Sequence, residues 1–440
     1  MRQIINLPPL SNRLSIIALF IIILFVNGCA VFGKVQVKPW HSPSYPEEEI
    51  ERNKFLVAKD DDVIGRLSFI RLEKDDTLPD IARHFSLGIN EISTANPGVD
   101  IWVPRAGERI LLPLNFILPD APRKGIVINL AAMRLFQFKS DSKSLTVSTY
   151  PVGIGTTERP TPMGQMYVKH RMIRPTWHVP ASISEDHRKK GDPLPAIVLP
   201  GPENPLGEYA LYLSKSSYLI HGTNKPSSIG LKATNGCIRL YPEDIKKLYK
   251  DSSINTPVLI VNQPYLIGQH NGLVYLEAHT PLEGSDAAEL EKIYAKLRSI
   301  ENKSARTLDR KKVKAVLAEA RGIPVPILET SQRSKEGAEK AIEVKHPAKL
   351  YAKPAIPELK MDAWYVLAAQ MQDEIDALRI AAIINHQGPQ IPARVISKSD
   401  NSYRVIAGPF NNISEAKDAV KRLKIDLEID GKLIEPVRKR

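Results

Sequence analysis

Cysteine is nearly absent: Cys29 and Cys237 are the only two in 440 residues. That excludes a disulfide framework, and it excludes a zinc site built on several thiolates. Only one disulfide could form, between those two residues. Nucleic-acid motifs are absent as well. The main apolar run near the start, Leu14 to Val26, is too short to span a bilayer comfortably. Between about residues 124 and 280, Pro and Gly recur so often that long helices are excluded, except near "YPEDIKKLYK".

What is present is charge and enough apolar content to fold. Lys and Arg number 61 against 49 Asp and Glu, a net charge of +12, and 43% of residues are hydrophobic. The length allows two to four domains. Arg2 and Arg13 precede the apolar run and small residues follow it, the pattern of an export signal. "VNGC" at 26–29 resembles a bacterial lipobox. It implies a lipidated Cys29 as mature N-terminus, and hence a lipid anchor in the periplasm, at the outer membrane because Ala30 is not Asp. An uncleaved membrane anchor is the other reading, and both export the chain. A lipidated Cys29 could not pair with Cys237, which would then be a lone free thiol in an exported protein. For a basic exported protein the anionic partners to weigh are cell-wall glycan peptides and lipid head groups, not nucleic acid.

The chain divides into a signal peptide (1–29), a tether (30–53), a small module (54–119), a mainly-β domain (120–265), a helical extension (266–325), a linker (326–360) and a terminal α+β domain (361–440). In the module, strand, helix, helix and strand follow one another, with Thr77 as N-cap, Pro79 in the first turn and Asp80 third. "DDTLPDIARHF" and "ANPG" resemble a LysM module, which implies binding to peptidoglycan glycan. "GIVINLAAMRLFQF" reads as a hairpin. Leu290, Ile293, Leu297 and Ile300 form one helical stripe, expected to pack on the mainly-β domain. "SQRSKEGAEKAIEVKHPAKLYAKPAIPELK" is rich in Lys, Glu and Pro, and reads as flexible. The last domain has βαββαβ order, and "YRVIAGPFNNISEAKDAVKRL" resembles the second half of a SPOR domain. In that family the sheet face binds glycan strands stripped of peptide.

Cys237 carries the question of function. It could be an inert buried thiol, a metal ligand or a nucleophile. One Cys with one nearby His falls short of a zinc set. Asn235-Gly236-Cys237 is a turn that lets backbone approach a bound group. His221 closes a strand upstream and could act as base. With backbone N–H groups of Gly236 and Cys237 these residues compose an acyl-transfer set.

"IHGT" followed by "TNGCIRL", preceded by "RPTPMG" and "GPENPLGEYALYL", resembles the YkuD-like L,D-transpeptidases over roughly 123 to 263. The resemblance implies a mainly-β catalytic domain and an enzyme of the peptidoglycan tetrapeptide stem, needing no cofactor. Cys237 would attack the carbonyl of the third stem residue and D-alanine would leave. His221 would be general base and acid, oriented by the Gly222 backbone. Gly236 and Cys237 N–H groups would hold the oxyanion. Arg239, Thr234 and Asn235 would bind substrate, and Trp177, in the segment 171–195 over the cleft, would stack on it. The acceptor would be another stem, giving a 3–3 cross-link, or a lysine of an outer-membrane lipoprotein, or water. A non-catalytic peptidoglycan tether is the alternative of a different class.

Overall fold

The computed structural model describes residues 52–58, 61–141, 144–283, 286–304, 307–329, 341–397 and 402–437. Cys29, the signal and nearly all of the tether lie outside the described residues. Among the described residues no helix is long and apolar enough to cross a membrane.

Alternating sequences become the strands of a nine-stranded sheet. Its spatial order is Lys54–Val57, Leu145–Pro151, Arg134–Ser140, Gly125–Asn129, Pro257–Val261, Gly164–Ile173, Tyr209–Leu213, Leu219–His221 and Ile238–Arg239. The expected hairpin pairs Gly125↔Phe138 through Asn129↔Arg134. Met133 takes a left-handed φ of 50° at its turn. The first strand corrects a boundary. Lys54–Val57 pairs with Leu145–Ser148, so it belongs to this sheet and not to the small module.

The small module forms as its sequence dictates. Strand Ser68–Arg71 pairs with Arg109–Leu112, and helices Leu78–His84 and Ile89–Ala95 lie between them in the chain. Thr77 Oγ1 accepts from the Asp80 N–H at 3.2 Å. Glu91 returns its carboxylate to the Gly88 N–H at 2.6 Å, the one half of a capping box that a glycine N-cap allows. Leu78, Ile81, Phe85 and Ile110 from this unit share one core with Val127, Phe136, Phe138 and Val147 of the large sheet.

Two expectations for the later segments are corrected. The helices Asp286–Ser304 and Arg310–Glu319 do bury Ile293, Leu297 and Val313 under the hairpin Tyr265–His270/Leu273–Ala278. This extension packs against the small module's side, however. Leu266 and Tyr275 cluster with Val63 and Ile117, and the Ile117 N–H donates to Glu277 Oε2 at 2.7 Å. The linker is also not free over its described part. Ile342–Val344 adds to the Ser68–Arg71 edge as a parallel strand, and Leu350 is buried in the shared core. His346 Nε2 and Lys353 Nζ reach Asp76 at 2.9 and 3.2 Å. An open sheet edge and a buried carboxylate capture a segment whose own composition is polar.

The terminal domain has the expected order: Trp364–Met371, helix Glu374–Asn385, Ala393–Ser397, Tyr403–Phe410, helix Ile413–Leu427 and Lys432–Ile434. Its first helix starts at Glu374 because Asp373 caps it, accepting from the Asp376 N–H at 2.8 Å.

Candidate active site

The site forms where two short strands lie parallel: Ile220 pairs with Ile238 and His221 with Arg239. Ile220 and Ile238 are both buried in the core of the sheet. Side chains alternate along strands, so His221, Cys237 and Arg239 share the opposite face. Thus a separation of sixteen residues in sequence becomes one constellation.

The nucleophile turn is tied to itself. Thr234 Oγ1 donates to the Cys237 carbonyl at 2.7 Å and accepts from the Gly236 N–H at 3.1 Å. Gly236 has a φ of +99°, and a Cβ there would meet Tyr218 Cε1 at 2.7 Å. Only glycine satisfies both the conformation and the close ring. One expectation changes here: the Gly236 N–H, read as an oxyanion donor, is engaged by Thr234.

Cys237 is a free, half-buried thiol. Its Sγ–H points to the Ser217 carbonyl at 3.8 Å. Ser217 itself has a left-handed φ of 72°. Burial pushes the thiol above its ordinary range, partly offset by the Leu219 backbone N–H and the Arg239 charge.

His221 is buried, and its Nδ1 donates to the Gly222 carbonyl at 2.7 Å. That bond fixes the tautomer and leaves Nε2 as the basic nitrogen. Burial, then the nearby Arg239 cation, pushes its pKa down to about 3. The resting pair is therefore neutral thiol and neutral imidazole. Gly222 leaves room for Ile245, whose Cγ2 would lie 3.2 Å from a Cβ there.

Arg239 is anchored only loosely, by Nη1 to Ser228 Oγ at 3.4 Å, and its buried Nε has no hydrogen-bond partner. Burial lowers its pKa from the ordinary value. A guanidinium in such a setting favours an anion beside it: thiolate, oxyanion or carboxylate. Asn235 is exposed and accepts from Arg159 Nη1 at 2.6 Å. Trp177 is not brought into this group. It stays in the segment that leaves the sheet after Ile173, where it pairs with Val198.

Two residues that sequence reading missed also build the site. Asn204 is fully buried, its Nδ2 donating to the Pro175 carbonyl at 2.8 Å and its Oδ1 accepting from the Leu206 N–H at 2.9 Å. It fastens the covering segment to the chain beside Gly222, and the quoted "NPLG" was its signal. Thr161, inside "RPTPMG", accepts from the Gly155 N–H at 2.9 Å and so shapes the turn that carries Arg159.

Comparison with known proteins matches two regions of the chain to families. Residues 123–260 match the YkuD family, described as an L,D-transpeptidase catalytic domain. Residues 360–434 match the SPOR domain. The chain is 35% identical over 282 residues to "Probable L,D-transpeptidase ErfK/SrfK" of Escherichia coli K12, covering 62% of this chain and 89% of that protein. It is 36% identical over 263 residues to "Probable L,D-transpeptidase YcfS" of the same strain, covering 59% of this chain and 78% of the relative. A third, "Probable L,D-transpeptidase YbiS", is 37% identical over 229 residues, covering 51% and 74%. With the paired His and Cys motifs on one face of a matching domain, the chain belongs to the YkuD L,D-transpeptidase family.

Proposed function

We propose that this protein is a peptidoglycan L,D-transpeptidase of the cell envelope working through a Cys237 acyl-enzyme. The observation that carries the reading is the His221 Nδ1 bond to Gly222, which places the ring proton on Nδ1 and makes Nε2 the basic nitrogen of a histidine on the face that also bears Cys237. As the sulfur attacks the carbonyl before the terminal D-alanine, its proton passes to His221 Nε2. The C–N bond breaks, Nε2 returns the proton to the leaving amine, and a thioester remains. An acceptor amine then attacks, gives its proton to Nε2, and regenerates the thiol. One amide is exchanged for another, so no cofactor enters.

The Cys237 N–H serves as oxyanion donor, and the Gly236 N–H contributes only by leaving Thr234. One such donor contributes about 3–4 kcal/mol to the transition state. Arg239 holds the stem carboxylate or the oxyanion and keeps His221 neutral. Thr234 and Asn235 shape the turn, and Trp177 contacts the stem from the covering segment. Residues 120–265 are the catalytic domain. The module that follows the strand Lys54–Val57 and runs to residue 119 is LysM-like and glycan-binding, and 361–440 is a SPOR-like glycan reader. Cys29 carries a lipid anchor to the outer membrane. The acceptor is a second stem or a lipoprotein lysine.

The test incubates the purified full chain with disaccharide-tetrapeptide, with and without a lysine-ended peptide, and follows products by mass spectrometry. Loss of D-alanine with a dimer or lysine adduct, abolished in Cys237→Ala, is the expected result. Tripeptide alone would indicate a hydrolase. Unchanged substrate with a protein that still binds sacculi would indicate a tether. The pH profile follows from His221: a base already neutral above about pH 3 gives no acid limb between pH 8 and 5. A loss of kcat/KM centred near pH 6.5 would contradict the buried neutral imidazole.

A further inference from the structure

Between Ile173 and Pro200 the chain leaves the sheet and carries the helix Ala181–Lys189, which buries no residue. A helix without a buried apolar face is not held by packing. Polar contacts hold it instead. Asp186 Oδ2 pairs with Arg159 Nη2 at 2.6 Å, and just past the helix Asp192 Oδ1 pairs with Lys421 Nζ of the terminal domain at 2.9 Å.

Arg159 has a second attachment. Its Nη1 donates to Asn235 Oδ1 at 2.6 Å, two positions before Cys237. One guanidinium therefore joins the helix to the nucleophile turn. Its backbone is fixed from below, because the Arg159 N–H donates to Thr156 Oγ1 at 3.2 Å and Thr156 N–H bonds the Thr234 carbonyl at 3.0 Å. The backbone and the guanidinium of Arg159 thus both rest on the segment Thr234–Asn235 that leads into Cys237.

We propose that residues 174–200 form a lid and that Arg159 is a positioning residue for acyl transfer, clasping the lid to the nucleophile turn, while Lys421 clasps it to the terminal domain. This rests on the transpeptidase reading above. A closed lid keeps water from the Cys237 thioester while the acceptor amine is bound. Releasing either clasp opens the lid, shifting the thioester from amine to water and widening access to the thiol. The terminal domain, through Lys421, thereby tunes the outcome at a site it does not line.

The experiment compares full-length wild type with Arg159→Gln, Asp186→Asn, their double variant and Lys421→Glu. The first readout is the ratio of tripeptide to amine adduct. The second, independent of turnover, is the rate at which a bulky maleimide labels Cys237, with unchanged near-UV circular dichroism as the folding control. Arg159→Gln and Asp186→Asn are each expected to raise both readouts about fivefold, the size one exposed ion pair carries. The double variant is expected to match the single ones, because both cut one bridge. Lys421→Glu is expected to shift both in the same direction by less. Equal labelling in wild type and Arg159→Gln, or additive effects in the double variant, would overturn the lid clasp. A wild type that releases no D-alanine but labels faster on Arg159→Gln would keep the lid and discard the transpeptidase reading.

Discussion

The small N-terminal unit and the terminal domain are both attached to the catalytic sheet, but by opposite physics. The first shares a core with it: Leu78, Ile81 and Phe85 touch the same cluster as Phe136 and Phe138. Inside that junction Arg134 is 1% exposed, its Nε 2.6 Å from Glu91 Oε1 and its guanidinium 4.0 Å above the Phe116 ring. The terminal domain buries its apolar residues only among themselves. Apart from the Trp102 ring against the His386 ring at 5.4 Å, it meets the rest through polar groups: Arg379 with Asp100 at 2.8 Å, His386 Nε2 with Asp80 at 3.1 Å, Ser227 Oγ with the His386 carbonyl at 2.9 Å, and Lys225 with Asp426 at 3.4 Å. An apolar junction separates only by unfolding. A junction of charges separates by exchanging partners with water and salt. The former is part of the fold; the latter is a docked body.

The largest expected effect breaks the first junction. Glu91→Ala leaves Arg134 buried without its carboxylate and is expected to cost about 3–5 kcal/mol in denaturant unfolding. A loss under 1 kcal/mol would show that the two units do not depend on each other.

Next is Asp244, in the helix Pro242–Asp251, whose neighbour Glu243 bonds Arg83 of the N-terminal unit at 2.9 Å. Both Asp244 oxygens are buried without hydrogen-bond partners. Burial, then the Glu243 charge, pushes its pKa up to about 7. A carboxyl raised in the fold favours the protonated form there. Its stability contribution is complete below about pH 4 and lost as pH rises through 7. Asp244→Asn is therefore expected to stabilise by on the order of 2 kcal/mol at pH 8 and by little at pH 4, read from melting at both values. Equal shifts at both would remove the titration.

The smallest effect addresses the second junction. Asp100→Asn, or 0.5 M salt (roughly a Debye length of 4 Å), is expected to speed hydrogen exchange in 374–386 severalfold, at about 1 kcal/mol or less in global stability. Protection unchanged by salt would make that junction as fixed as the first.

Sequence reading reached elements whose cause is local. The Thr77 cap, the stripe of Ile293 and Leu297, and the βαββαβ order all follow from spacing within a few residues. His221 and Cys237 were legible because each sits in a motif and a short parallel pairing unites them. Partners chosen in three dimensions were not legible. Asn204 finds the Pro175 carbonyl 29 residues away, and Arg159 reaches Asn235 across 76. The engagement of Gly236 by Thr234 depends on turn geometry that residue types do not specify. Residues 341–353 read as linker because Ile342, Val344 and Leu350 are too few for a strand signal, and the open edge of Ser68–Arg71 supplies what the segment lacks.

That captured segment also sets a leash. With Leu350 in the core and Lys353 on Asp76, only roughly ten residues separate the anchor from the strand Trp364–Met371. Fully extended, they reach about 35 Å. A terminal domain that lets go of the lid therefore stays within a small sphere around it, at an effective concentration in the millimolar range. Rebinding is then a local event, independent of how dilute the protein is. Weak ion pairs suffice to keep the two together, and any ligand competing for the same face of the domain meets a neighbour that never leaves.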